Sequence, residues 1–135
     1  MWIAGEWTDA EDGSTSDVLN PATGEVIATT PKATITDVER CVAASRAALK
    51  SKEWAAMDPA QRGRILQKMA AATYANAKSL AAVESTNNGK TFREALSEIR
   101  YGAWTLEYFA GLSDKIEGST IPCLLYTSDA ADERL

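Results

Sequence analysis

The chain has 135 residues, of which 45% are hydrophobic and 24% are charged, a balance typical of a globular protein and not of a disordered or fibrous one. Its formal net charge of -5 argues against binding to nucleic acid or to anionic lipid, because phosphate groups would be repelled on average. There is no histidine, and Cys41 and Cys123 lack the spacing of a metal knuckle or a redox motif. The first residues carry neither a signal-peptide pattern nor a long apolar run, so we expect a cytoplasmic protein with no nucleic-acid or membrane partner.

Residues 1–31 are predicted to form two pairs of short strands. The first pair flanks Gly5, and the second pair flanks the turn Asn20-Pro21-Ala22-Thr23-Gly24-Glu25. Proline fixes φ, glycine permits positive φ and asparagine commonly starts turns, so the second pair should be a β-hairpin. The predicted strands cover residues 2–4, 6–7, 16–19 and 26–30, with a surface loop at residues 9–16.

After these strands the apolar period changes from two to about 3.6 residues, which predicts amphipathic helices. Each predicted helix begins at a residue that can cap free backbone amides, namely Thr36, Asp58 and Thr91. The second helix should end at Asn88-Gly89, and a run of this length is expected to break near residues 74–76. We therefore expect three or four helices.

Apolar stripes on the first and third predicted helices indicate which side chains should be buried. The stripe on the first helix contains Cys41, which we interpret as a small core residue and not as a nucleophile. The third helix has the cleanest stripe, and aromatic residues at its other positions imply that more than one of its faces is covered. The first stripe consists of Val38, Cys41, Val42, Ser45 and Leu49, and the other consists of Phe92, Ala95, Leu96, Ile99, Ala103, Leu106 and Ala110.

The common motifs of phosphate binding and hydrolysis do not occur in the sequence. It contains no G-x-G-x-x-G, no Walker loop, no H-E-x-x-H and no nucleophile elbow. Acidic pairs such as Glu94 and Glu98 share a helix surface, where solvated charge is the usual state. The residue types therefore give no support to a phosphate cradle, a zinc protease or a hydrolase triad.

An ordered set of short motifs is the most specific signal in the chain. Its most informative members are the turn at residues 20–25 and the triplet Asn88-Gly89-Lys90, and their order and spacing say more than either alone. The set also includes Trp2-Ile3-Ala4-Gly5-Glu6-Trp7, Trp54, Arg62, Tyr108-Phe109-Ala110-Gly111 and Ile116-Glu117-Gly118. Over about residues 2–122 the chain resembles the start of the aldehyde dehydrogenase superfamily.

The resemblance implies an α/β fold, in which N-terminal β-hairpin strands are followed by three or four amphipathic helices as an incomplete part of the cofactor-binding domain. It implies a parent enzyme that oxidises a small-molecule aldehyde to a carboxylic acid with NAD or NADP and forms a homo-oligomer. The family's catalytic cysteine, glutamate base, oxyanion asparagine and cofactor-binding glycines all fall beyond the position of Pro122. We therefore expect an inactive N-terminal fragment that has no catalytic or cofactor-binding residue and binds no cofactor.

Two further family sites map onto residues of this chain. The first is a monovalent-cation site, for which the resemblance implies backbone oxygens near Val18 and Leu19 and the side chain of Asn87. The family has an acid where this chain has Asn87, and an amide coordinates a cation without adding charge, so helix capping is the alternative role for Asn87. The second is a substrate channel lined by Tyr101 and Trp104, for which ordinary packing is the alternative.

Residues 123–135 depart abruptly from the family pattern and resemble a translated sequencing adapter. We expect a non-native tail, in which Cys123 is not a nucleophile, after a native segment at residues 1–122. The alternative to the whole interpretation is a free-standing helical interaction module without catalysis. Genomic sequence that continues in frame past Pro122 would favour the dehydrogenase, and a stop codon soon after Leu135 would favour the module.

Overall fold

A computed structural model describes residues 1–119. Within this range four short strands precede five helices, and the strands pair as two separate antiparallel hairpins. The strands are β1 (Trp2–Ile3), β2 (Glu6–Trp7), β3 (Thr15–Leu19) and β4 (Val26–Pro31), and the helices are α1 (Ile35–Leu49), α2 (Lys52–Ala55), α3 (Pro59–Ala75), α4 (Ala77–Asn88) and α5 (Phe92–Leu112). The predicted order of hairpin strands followed by helices is confirmed, whereas the predicted boundary at residue 122 and the tail lie outside the described residues. No helix of the described part combines the length and the apolarity that crossing a bilayer requires.

Both hairpins turn at residues with left-handed backbone conformations. The first turns through Ala4 and Gly5, which both have positive φ, and the second contains Gly24 at φ 75°. The ladder between β3 and β4 is interrupted by a β-bulge between Val18 and Leu19, which leaves an extra residue on one strand. The two predicted strand pairs are confirmed, although β1 ends one residue earlier than expected, β3 begins one residue earlier and β4 ends one residue later.

Most of the predicted helix boundaries are confirmed by capping hydrogen bonds. Asp58 accepts from the amide of Gln61 at 2.7 Å, and the Gln61 side chain accepts in return from the amide of Asp58 at 2.8 Å. Thr91 caps α5, and Gly89 ends α4 in the left-handed conformation that glycine adopts without strain. The long second helix divides at Asn76 into α3 and α4, so the four longer helices agree with the prediction and α2 is an additional single turn.

Asp37 joins the start of α1 to the segment that follows the first hairpin. Its side chain is 1% exposed, and its Oδ2 accepts from the amides of Glu11 (3.1 Å) and Thr34 (3.0 Å) and from the Thr34 hydroxyl, while Oδ1 accepts from Arg40. The N-cap of α1 is therefore Thr34 and not the predicted Thr36, because only Thr34 lies three residues before this buried carboxylate. Hydrogen bonds from the amides of Thr34 and Glu11 hold the pKa of Asp37 below its ordinary value in spite of its burial.

Helix α5 packs against α3 and α4 through small side chains. The buried apolar residues of these three helices are all alanines, namely Ala70, Ala77, Ala81, Ala95, Ala103 and Ala110. Helices α3 and α5 approach so closely that a Cβ atom added at Gly63 would lie 2.8 Å from the Ala110 carbonyl oxygen. The alanines of the predicted α5 stripe are thus buried as expected, whereas Phe92, at the first position of the helix, is exposed.

The burial predicted for Cys41 is wrong. Cys41 is exposed, and Val38, Val42 and Leu49 on the same apolar stripe are exposed as well. Within residues 1–119, α1 contacts mainly β1 and α2, and no layer covers its apolar stripe. The helical period therefore describes where the apolar residues of α1 lie but does not show whether another element packs on them.

We predict that Gly63→Ala destabilises the protein, although alanine is the better helix former. The added methyl group would meet the backbone carbonyl oxygen of Ala110, which cannot rotate away, so α3 and α5 would have to separate. The free energy of unfolding in urea should fall by about 1–3 kcal/mol. Gly102→Ala on α5 is the matched control, because nothing lies within 4 Å of its added Cβ, and it should gain up to about 1 kcal/mol. Equal effects of the two substitutions would contradict the close approach of the helices.

We predict that Asp37→Asn lowers the melting temperature by about 5 °C or more at pH 7, because a neutral amide places donor hydrogens against the donors that surround Asp37. The folded-state pKa is lowered, so the stabilisation by Asp37 is present above about pH 4 and is lost as the pH falls further. The difference between wild type and variant should therefore shrink from pH 5 to pH 2. Asp17→Asn, at an exposed position of β3, is the control. A difference independent of pH would show that the ionised carboxylate is not responsible.

Candidate functional site

An open, mostly apolar groove lies between the second hairpin and α4, with side chains of β3, β4 and α4 in its walls. Val18 on β3 and Asn87 near the end of α4 both line this groove. The structure therefore brings together two of the three residues predicted to bind a monovalent cation. The third, Leu19, is about half exposed and does not line the groove with its side chain.

The side-chain oxygen atoms that line this groove are neutral. Asn87 has an amide oxygen, and Thr30 and Thr86 have hydroxyl groups, of which that of Thr86 donates to the backbone of its own helix at 2.8 Å. The bulge between Val18 and Leu19 interrupts the β-ladder, so backbone carbonyl groups at this point are less regularly paired. No group of three or more Asp, Glu, His or Cys side chains that could hold a metal occurs within residues 1–119. Neutral oxygens suit a monovalent cation better than a divalent transition metal.

The hairpin is held against the end of α4 at the two most specific motifs of the chain. A Cβ atom added at Gly89 would lie 2.8 Å from Cγ of Pro21, so the turn at residues 20–25 and the triplet Asn88-Gly89-Lys90 are in contact. Lys90 forms ion pairs with Glu98 on α5 and, at 3.4 Å, with Glu84 on α4. The carboxylate of Glu98, with that of Glu84, holds the pKa of Lys90 above its ordinary value. These contacts position the groove walls relative to α5.

The predicted channel residues form a row of aromatic rings on the outer side of α5. The rings of Tyr101 and Trp104 are stacked with centroids 5.5 Å apart, and those of Trp104 and Tyr108 are stacked at 5.9 Å. Phe109 meets Tyr108 edge to face at 5.4 Å. All four side chains are at least half exposed. Tyr101 and Trp104 are thus neighbours on one surface, and they are not part of the buried helix contact.

Sequence reasoning missed three residues that hold elements of the fold together. Asp37 and Gly63 were not distinguished from surface residues, and the contact of Pro21 with Gly89 was not anticipated. The spacing of Thr34 and Asp37 could have revealed the capping box. No comparable signal exists for Gly63 and Pro21, because their roles depend on residues distant in the sequence.

The sequence model described as the aldehyde dehydrogenase family matches residues 7–133. The matched residues are most of the chain. They include the turn at residues 20–25 and the triplet Asn88-Gly89-Lys90, which are in contact in the structure. The chain belongs to the aldehyde dehydrogenase family. The match extends into residues 123–133, so the non-native origin of the tail stays a prediction.

Two curated relatives illustrate the similarity. The (Z)-2-((N-methylformamido)methylene)-5-hydroxybutyrolactone dehydrogenase of Acinetobacter baylyi is 45% identical over 123 residues, which cover 90% of this chain and 25% of that protein. The cytosolic 10-formyltetrahydrofolate dehydrogenase of Xenopus tropicalis is 40% identical over 123 residues, which cover 90% of this chain and 14% of that protein. The chain therefore spans a quarter or less of the length of either relative.

A solved structure is similar over the same part of the chain. It is a betaine aldehyde dehydrogenase variant from Staphylococcus aureus in complex with NAD+, with a TM-score of 0.84 and 33% sequence identity. The similarity covers 91% of this chain and 25% of that protein. The hairpins and helices of residues 1–119 are thus arranged as in part of a larger aldehyde dehydrogenase.

Proposed function

We propose that this sequence derives from an NAD(P)-dependent oxidoreductase that converts an aldehyde to a carboxylic acid, and that residues 1–122 are an N-terminal part of its cofactor-binding domain. The observation that carries the proposal is the fold similarity to an aldehyde dehydrogenase with a TM-score of 0.84, together with the family match. Such an enzyme uses a thiolate to attack the aldehyde and transfers a hydride to the nicotinamide. The aldehyde would be its small-molecule partner.

NAD or NADP is the proposed cofactor of the longer enzyme. The similar betaine aldehyde dehydrogenase was solved with NAD+, which supports a nicotinamide cofactor for the parent. We assign no residue of this chain to cofactor binding and expect none of the cofactor to be bound by residues 1–135 alone. We also propose a cytoplasmic location, supported by a relative described as cytosolic, and a homo-oligomeric parent without nucleic-acid or membrane partners.

We predict that purified residues 1–135 do not reduce NAD or NADP with a broad panel of aldehydes. The family resemblance places the thiolate, the oxyanion donors and the pyrophosphate-binding turn beyond Pro122, and without them the reaction has no nucleophile or hydride acceptor site. The measurement is absorbance of the reduced nicotinamide above an enzyme-free blank. The control is the product of the complete gene, recovered from the source DNA, which should be active. Activity of residues 1–135 would mean that a catalytic group had been overlooked.

The same source DNA tests the origin of the chain. We expect the reading frame to continue past Pro122 into a glycine-rich segment and a cysteine-containing motif, and residues 123–135 to be absent from the genomic sequence. A genomic stop codon soon after Leu135 would instead support a helical interaction module.

Tyr101 and Trp104 are proposed to line the substrate channel of the complete enzyme. Their exposed, stacked rings support this role, because an apolar wall that is not used in packing is available to a substrate. Replacing either ring by leucine in the complete enzyme should alter KM among aldehydes of different size more than it alters protein stability. If a variant had the same KM as the unsubstituted enzyme for every aldehyde in the series, the assignment would be contradicted.

We predict that the groove between the second hairpin and α4 binds a monovalent cation weakly, through backbone oxygens near Val18 and Leu19 and the amide oxygen of Asn87. The melting temperature should be higher in KCl than in tetramethylammonium chloride at equal ionic strength, because only a ligand of the folded state stabilises it. Asn87→Asp should enlarge this difference by adding charge, and Asn87→Ala should abolish it. Identical melting temperatures in both salts, for wild type and Asn87→Asp, would rule out the site.

A further inference from the structure

The end of α4 contains the step Asn88-Gly89, a pair of residues at which an asparagine side chain readily loses its amide group. Asn88 is the only asparagine of the chain that precedes glycine, and the others precede proline, alanine or asparagine. Because glycine has no Cβ, the backbone nitrogen that follows Asn88 can approach the side-chain carbonyl carbon without steric hindrance. How fast this pair reacts then depends on how the fold holds it.

The reaction has two steps and needs only water as a further reactant. In the first step the Gly89 backbone nitrogen bonds to Cγ of Asn88, the bond between Cγ and Nδ2 breaks, and ammonia leaves with the proton of the former Gly89 amide. The product is a cyclic imide. Water then adds to either of its carbonyl carbons and opens the ring, which yields aspartate or isoaspartate in place of Asn88.

The folded structure opposes the first step. Ring closure requires the peptide bond after Asn88 to rotate until its nitrogen faces Cγ. Asn88 is the last residue of α4, and the N–H group of Gly89 donates to the carbonyl oxygen of Ser85 at 2.9 Å, which keeps this peptide bond in its helical orientation. The side chain is held as well, because its Nδ2 donates to Glu84 at 2.6 Å and its Oδ1 accepts from the amide of Lys90 at 3.0 Å.

The segment that follows Asn88 is fixed on two sides. The Ser85 hydroxyl donates to the carbonyl oxygen of Lys90 at 2.7 Å, which ties this segment to the last turn of α4. On the other side, Gly89 lies so close to Pro21 of the second hairpin that an added Cβ would be 2.8 Å from Cγ of the proline. The last turn of α4 therefore has to unwind before the peptide bond can rotate.

We propose that Asn88 is a deamidation site, that local unwinding of the last turn of α4 sets its reaction rate, and that its product loosens the contact between α4 and the second hairpin. Helix ends open more often than whole domains unfold, so the reactive conformation is reached without global unfolding. The observed rate is then the rate of the open pair multiplied by the fraction of molecules in which this turn is open. The inference goes beyond the proposed function, since it depends on no cofactor or aldehyde.

Both products disturb the end of α4. Aspartate places a carboxylate next to that of Glu84, where the amide donated a hydrogen bond, and adds negative charge at the C-terminal end of a helix. Isoaspartate lengthens the main chain by a methylene group directly before Gly89, which has no free space towards Pro21. The deamidated chain should therefore melt a few degrees below the unmodified chain.

Incubation of the 135-residue chain at mildly alkaline pH, in buffer and in unfolding urea, tests the proposal. Mass spectrometry of the peptide that contains Asn88 measures the conversion of amide to acid. We expect the reaction to be about tenfold to a hundredfold slower in buffer, because only molecules with an open helix end react. Equal rates would overturn the proposal. So would a rate ratio no larger than the unfolded fraction obtained from urea denaturation, because Asn88 would then react only in the unfolded chain.

Two substitutions on α4 test the role of its last turn. Ser85→Ala removes the hydrogen bond to Lys90 and should speed deamidation in buffer about fivefold, as expected for the loss of one hydrogen bond, without changing the rate in urea. Thr86→Ala is the matched control, because the hydroxyl that it removes donates within the helix to Ala82, and the rate should not change. Equal effects of the two substitutions would contradict the gating by the last turn.

The third part of the proposal is tested on the modified protein itself. The deamidated fraction carries an additional negative charge and can be separated by ion exchange, and its melting temperature is then compared with that of the unmodified fraction. A melting temperature a few degrees lower supports the loosened contact. Equal melting temperatures would show that the contact between α4 and the hairpin tolerates the modification, and would overturn this part.

Discussion

The close approach of α3 and α5 at Gly63 and Ala110 is the constraint on which the helical part of the molecule depends. A glycine at the crossing lets the two backbones approach closely, with the Ala110 carbonyl where a side chain would otherwise stand. Alanine side chains of both helices fill the contact between α3 and α5. Helix α4 also packs against α5 through alanines. An interface of this kind is governed by shape, because there is little side-chain volume that could rearrange to fill a gap.

A core of alanines also determines where the large apolar side chains lie. Because the helices meet through small residues, the bulky ones project away from the contact, and the described part of the chain leaves Val83, Trp104 and Tyr108 exposed. The groove beside α4 and the row of exposed aromatic rings on α5 are both consequences of this arrangement. Alanine burial contributes less hydrophobic stabilisation than burial of leucine or phenylalanine, so caps and buried hydrogen bonds such as those of Asp37 carry a larger share.

The parts of the fold that depend on neighbouring residues in the sequence could be predicted, and the parts that depend on distant ones could not. Asp58 and Thr91 were identified as caps from spacing alone, and Gly89 as a helix end from its tolerance of positive φ. Cys41 was misjudged because a helical stripe gives the apolar side of a helix but not the element that covers it. The candidate cation site stays a prediction: Val18 and Asn87 line one groove, and only the fold shows that its side-chain oxygens are neutral and that the described residues form no acidic cluster.

The proposed use of the aromatic rings of α5 follows from the position of this helix between its neighbours. A helix with apolar residues on opposite sides is suited to the middle of a layered structure, where one side packs on its neighbours and the other meets a further layer or a ligand. In a complete aldehyde dehydrogenase, the outer side would then form part of a wall, and Tyr101 and Trp104 would meet a substrate. Within residues 1–119 the side chains of Tyr101 and Trp104 on that side are at least half exposed. The inner contact through the buried Ala95 and Ala103 therefore determines which side of α5 carries the exposed rings.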